Sequence, residues 1–260
     1  MPTVPDRLFV QIPSDLVSDE ELSPLAKSIY LSISLHKACS MRQLSSASGL
    51  SRECVRYLVK KLAAAGWVKI EGKRNRRRIT PSLPEKAQRT MIARLKEHRS
   101  YVATVGEYLM KRLLDVLVDS DDYVDNARPW FLQNPNTNQF MEYDRFYVSA
   151  GVAFEFNGPQ HYGTTQVFPD TEEVDEIMQR DKIKADLSES RNIILVAITE
   201  EDLSLDKMSK KIPERLPKAN YDPDCLYVRA LEDMCGEYVA NCRKRRAREP
   251  VRRKSSGTDE

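Results

Sequence analysis

The chain has 260 residues, 41% of them hydrophobic and 31% charged, with a formal net charge of +2. Roughly 100–200 residues per domain makes this one large domain or two modest ones. No apolar run approaches the ~18 residues needed to cross a bilayer, the first ten residues are too short and mixed for a secretory signal, and nine Gly with 14 Pro exclude a collagen-like chain. Five cysteines, an odd number unevenly spread, argue against a disulfide framework and for a reducing compartment. The small net charge hides a gradient: residues 1–80 carry +7, 81–100 carry +3, 101–240 carry −13 and the last twenty carry +5. A basic front suits phosphates, whereas an acidic body repels them unless a cation intervenes.

In chain order, Ser23 to His36 carries Leu25, Ile29, Leu31, Ile33 and Leu35, an amphipathic helix of imperfect period. Ser40 followed by Gln43 fits a capping box opening a short helix to Ala47, which Gly49 ends. Ser51 suits the cap of a third helix, with Val55, Leu58, Val59, Leu62 and Ala63 on its apolar face. Gly66 closes it. Trp67 to Ile70 alternates like a strand, residues 72–76 form a basic tip, and Arg77 to Thr80 return as the paired strand.

Three helices followed by a hairpin, carried by Gln43 to Leu62 and then Gly66-Trp67-Val68, resemble a winged helix-turn-helix domain over about residues 20–82, within an expected domain of residues 1–82. The resemblance implies that residues 51–65 enter the major groove of double-stranded DNA. The polar face there carries Ser51, Arg52, Arg56 and Lys60, and the wing carries Lys73, Arg74, Arg76, Arg77 and Arg78. Arg pairs bidentately with guanine, while Lys mostly holds phosphate.

Pro81 and Pro84 mark a boundary. A long helix is expected from Glu85 to about Asp119, its first part (83–100) a basic linker and its second placing Val102, Val105, Tyr108, Leu109, Leu113, Val116 and Leu117 inside, with Glu107 among them. A strand is expected within Asp125–Leu132, then strands over Phe140–Val148 and Val152–Asn157 joined by a turn at Ser149–Gly151. A charged helix follows from Thr171 to about Arg191, and the β-branched run Asn192–Thr199 reads as a buried strand. A last helix is expected over residues 222–247, ahead of a basic tail at 248–260.

Asp144 and Glu155 fall on neighbouring strands, eleven residues apart across a turn. Two close carboxylates repel each other unless one is protonated or a cation bridges them. Such an oxygen-rich pair suits Mg²⁺ (or Mn²⁺), which takes one or two carboxylates and keeps several waters. The stretches Glu142-Tyr143-Asp144, Phe154 to His161, Arg180 to Lys184 and Ile193 to Val196 resemble the PD-(D/E)XK, or restriction-endonuclease-like, nucleases, in particular their very-short-patch-repair-like branch. The resemblance covers about residues 101–205 and implies an α/β (α+β) fold with an α-β-β-β-α-β core, in an expected domain of residues 101–221, plus an extra C-terminal helix. It implies Asp144 and Glu155 as metal ligands with Glu107 as a third, and Gln160 and His161 near the phosphate. By the same analogy the setting is a prokaryotic cytoplasm, a phage or a mobile element, and a second copy or partner subunit enters the reckoning.

The sequence departs from that pattern at Asn157, where the superfamily carries a lysine. Asn157 can hydrogen-bond a water or phosphate but brings no charge; Gln160, His161, Lys182 and Lys184 are the candidates to substitute. The leading expectation is a Mg²⁺-dependent DNA endonuclease positioned by a winged helix. The alternatives are a catalytically dead nuclease fold serving a DNA-binding regulator, and a winged helix joined to a small-ligand sensor.

Overall fold

The computed structural model describes residues 13–36, 39–72, 77–158 and 171–248, the side chains of 171–177 and 248 excepted. The protein is of mixed α and β composition, and the chain divides into two compact units, residues 1–94 and 95–260.

The first unit holds α1 (Ser14–Val17), α2 (Pro24–His36), α3 (Met41–Ser48) and α4 (Arg52–Ala64), followed by β1 (Val68–Glu71) and β2 (Arg78–Pro81), an antiparallel pair. Local chemistry sets these limits. Ser40 and Gln43 form a reciprocal capping box at the start of α3, and Gly49 ends it with a φ of +69°. Ser51 Oγ accepts from the Cys54 N–H at 3.2 Å and opens α4. The core is built from Ile29, Ile33, Leu44, Val55, Val59, Leu62 and Ile79, with Trp67 across its floor. The Trp67 indole N–H, which burial would otherwise leave unpaired, donates to Asp19 at 2.9 Å. In α2 the buried residues are Ala26, Ile29, Tyr30 and Ile33, while Leu25 lies on the exposed side.

The single helix expected from Glu85 to about Asp119 is two helices, α5 (Glu85–Tyr101) and α6 (Val105–Leu117). The break at residues 102–104 re-aims the chain so that Leu109, Met110, Leu113, Leu114 and Leu117 can all meet the core of the second unit. Gly106 fixes where α6 sits: a Cβ there would lie 2.1 Å from the Phe156 ring and 2.8 Å from the Tyr238 hydroxyl.

The second unit is organised by a four-stranded sheet of order β3 (Tyr123–Ala127), β4 (Tyr143–Tyr147), β5 (Val152–Asn157), β6 (Ile194–Thr199). The first three are antiparallel neighbours, and β6 runs parallel to β5. The first strand starts earlier than its sequence suggests and stops at Ala127, ahead of Pro129. Helix α7 (Thr171–Ser190) lies between β5 and β6 in the chain, as a parallel pair requires. The period of two along β5 sends Val152, Phe154 and Phe156 to the core shared with α6, and Ala153 to the core shared with Ile183 and Leu187 of α7. A short 3-10 turn (Glu200–Asp202), α8 (Leu205–Lys211) and α9 (Leu226–Arg248) complete the unit. No helix among the described residues is long and apolar enough to cross a membrane.

Candidate active site

Asp144 is the second residue of β4. Opposite it in the register stands Asn126, whose left-handed φ of +54° interrupts the regular ladder between the Asp125–Arg145 and Ala127–Tyr143 pairs. The interruption breaks the alternation of side chains. Tyr143 turns to α7, sharing a 2.6 Å hydrogen bond with Ser188 Oγ, and Arg145 turns to α6, reaching Asp115 at 2.6 Å. Asp144 Oδ2 accepts the Phe156 N–H at 2.7 Å, which ties it across to β5. Asp144 does not pair with its neighbour Arg145, whose guanidinium is occupied by Asp125, Asp115 and the Lys111 carbonyl.

Glu155 lies on the α7 face of β5. Its Oε1 is bound by the ammonium of Lys184, a buried residue on α7 that also donates to the Glu142 carbonyl at 2.8 Å. Its Oε2 is buried without a hydrogen-bond partner among the described residues. Asp144, Glu155, Lys184 and Arg180 line one concavity of about 330 Å³, with Arg128 and Glu142 at its rim. Burial, and then the Glu155 carboxylate, push the Asp144 carboxyl up to about 7, against the pull of the Phe156 N–H. Burial also raises Glu155, and the Lys184 ammonium opposes it.

Glu107, the expected third ligand, faces this region from α6 and contributes to raising Asp144. Its Oε1 is bound by Lys111 Nζ at 2.5 Å, and the same ammonium reaches Asn126 Oδ1 at 2.5 Å. Among the described residues no three His, Cys, Asp or Glu side chains converge as a metal-binding group. The two carboxylates nevertheless fit a hard divalent cation, because a buried carboxylate oxygen with no partner among the described residues, beside a second, half-buried carboxylate, is a costly arrangement that such an ion would relieve.

Asn157 ends β5 and borders a second concavity that it shares with Glu155, Asp181 and Lys184. Of the candidate replacements for the absent lysine, Lys184 meets Glu155 and Lys182 is exposed. Gln160 and His161 lie outside the described residues. Sequence reasoning missed Lys111; a lysine four residues after Glu107 signals a helical ion pair, not its burial.

In the first unit Arg52, Arg56 and Lys60 are exposed along α4, and Ser51 is spent on the cap. Tyr57, not singled out in the sequence, is 58% exposed on the same face, with the Lys61 ammonium 5.3 Å from its ring centroid. Arg77 and Arg78 are exposed at the start of β2; Lys73, Arg74 and Arg76 lie outside the described residues.

No protein-family model matches the chain, and no solved structure matches it. Over 73 residues it is 34% identical to uncharacterized protein 033L of invertebrate iridescent virus 3. That stretch covers 28% of this chain and 38% of the viral protein.

Proposed function

We propose that this protein binds double-stranded DNA through its first unit, read as a winged helix-turn-helix, and hydrolyses phosphodiester bonds in its second, read as a restriction-endonuclease-like domain using Mg²⁺ or Mn²⁺. The observation that carries the reading is the half-buried Asp144–Glu155 pair with the Lys184 ammonium on Glu155, a positive charge of the kind that Asn157 does not bring. Asp144 and the free Oε2 of Glu155 would hold the cation. A divalent ion there supplies charge to polarise the phosphate and to lower the pKa of a water. Lys184 opposes the rise that burial imposes on the Glu155 carboxyl, and its second bond, to the Glu142 carbonyl, fixes the ammonium in place. Arg180 offers a cationic group on the wall for the substrate's phosphates, and Arg128, which pairs with Glu142 at 2.7 Å, lies nearby. The exposed row Arg52, Arg56 and Lys60 supports binding of the duplex.

The test is incubation of the full chain with supercoiled and linear DNA in Mg²⁺, Mn²⁺ or EDTA, beside the Asp144→Ala, Glu155→Ala double variant and Lys184→Met. Metal-dependent nicking is expected, abolished in the double variant and reduced about 100-fold or more in Lys184→Met while DNA binding persists. A second reading, a non-catalytic DNA-binding regulator on the same fold, is favoured by the lysine partners that already neutralise Glu107 and Glu155. It predicts intact DNA binding with no cutting in either metal.

A further inference from the structure

Beside the carboxylates, residues 128–141 connect β3 to β4 as a small, internally bonded structure. Leu132 N–H donates to the Pro129 carbonyl and Met141 N–H to the Leu132 carbonyl, Gln133 and Phe140 form a β-bridge, and Asn134 exchanges backbone bonds with Gln139 and Asn138. Leu132 and Met141 anchor it in the core beneath α7. This anchored frame holds two large aromatic rings in solvent: Trp130 is 72% exposed and Phe140 52%. They border an open concavity of about 520 Å³ that shares Arg128, Gln139 and Phe140 with the carboxylate-lined one, so the two are continuous. The Arg191 guanidinium sits 4.8 Å from the Trp130 ring centroid.

Paired exposed aromatics on an anchored loop are unusual unless something covers them. Arg191 at Trp130 and Arg180 within the second concavity favour an anionic occupant with flat faces, while Arg128 between the concavities is held by Glu142 at 2.7 Å and Lys184 by Glu155. Every base offers a π-face for stacking, whereas a fully paired duplex keeps those faces covered. We propose that Trp130 and Phe140 form a stacking platform for unpaired nucleotides, so that the preferred nucleic acid at this site carries single-stranded, looped or flapped residues next to the Asp144–Glu155 pair. The proposal rests on the nucleic-acid reading above and adds the substrate class.

Binding is measured with the full chain in EDTA, so that no cutting intervenes. The probes are a single strand of about 20 nucleotides, its fully paired duplex, and that duplex with a short unpaired loop. The chain has two tryptophans, and Trp67 is buried, so quenching of the solvent-exposed emission reports Trp130. The expected result is quenching by the single-stranded and looped probes, not by the paired duplex. Trp130→Ala with Phe140→Ala should weaken the looped probe about tenfold or more and leave the paired duplex unchanged. Equal affinity for all probes, unmoved by the double substitution, overturns the platform and leaves the DNA-binding reading standing. No binding of any DNA overturns both. A blue shift of Trp130 on self-association without DNA overturns the platform in favour of a protein interface.

Discussion

The two faces of the four-stranded sheet each bury a cation and treat it in opposite ways. On the α6 face Arg145 is fully enclosed and fully satisfied. Its Nε and Nη2 meet both oxygens of Asp125 at 2.7 and 3.0 Å, its Nη1 meets Asp115 and the Lys111 carbonyl, and its guanidinium lies 3.9 Å from the Tyr123 ring centroid. On the α7 face Lys184 binds one oxygen of Glu155 and leaves the other orphaned, beside a second carboxylate raised to about 7. A complete network of this kind specifies a fold; an incomplete one leaves capacity for a ligand.

That contrast is open to direct attack, beginning with the largest effect. Arg145→Met should cost about 3–5 kcal/mol in urea denaturation, because Asp115 and Asp125 lose a buried partner. A loss under about 1 kcal/mol would mean that the Arg145 network is not what holds the α6 face. Asp144→Asn should act the other way. Asp144 is raised from 3.8 to about 7 in the folded chain, so the fold binds the proton more tightly than the unfolded chain does. Stability of the metal-free protein therefore falls as pH climbs from about 4 to about 7. Asn keeps an acceptor for the Phe156 N–H and removes the charge, so the variant should gain on the order of 2 kcal/mol at neutral pH and lose that slope, with a much smaller gain near pH 4. An unchanged slope in thermal melts across this range would remove Asp144 from the set of strained carboxylates. The smallest effect concerns packing: Gly106→Ala would drive a methyl into the Phe156 ring and should cost about 1–3 kcal/mol. A neutral result would show that the α6 face has slack.

The readable parts of this molecule are those governed by neighbours in sequence. Ser40 with Gln43, Ser51 and Gly49 mark helix ends by chemistry acting over three or four residues, and they stand where expected. Glu155 was legible because a carboxylate between Phe154 and Phe156 in an alternating strand has no bland surface role. What decided the remainder was long-range. Tyr143 and Arg145, two residues apart on β4, should share a face, yet beside the irregular Asn126 Tyr143 meets α7 while Arg145 meets α6. Lys184 meets Glu155, 29 residues away in sequence, only because α7 carries it there. The close seat of α6 depends on Gly106 lying against Phe156, a contact that no window of local periodicity contains.

The parallel pairing of β5 with β6 has a consequence for assembly. Val152 pairs with Ile194 and Asn157 with Thr199, so the two strands meet only after the whole crossover, α7 included, has been closed. Loop closure of that length precedes the contacts that reward it, and such pairings form slowly. Glu155 can therefore sit on an early antiparallel hairpin with β4 while Lys184 arrives late, on the crossover. During synthesis the acidic hairpin is complete before the lysine that neutralises one of its carboxylates has been added, because Lys184 belongs to α7 and follows β5 in the chain.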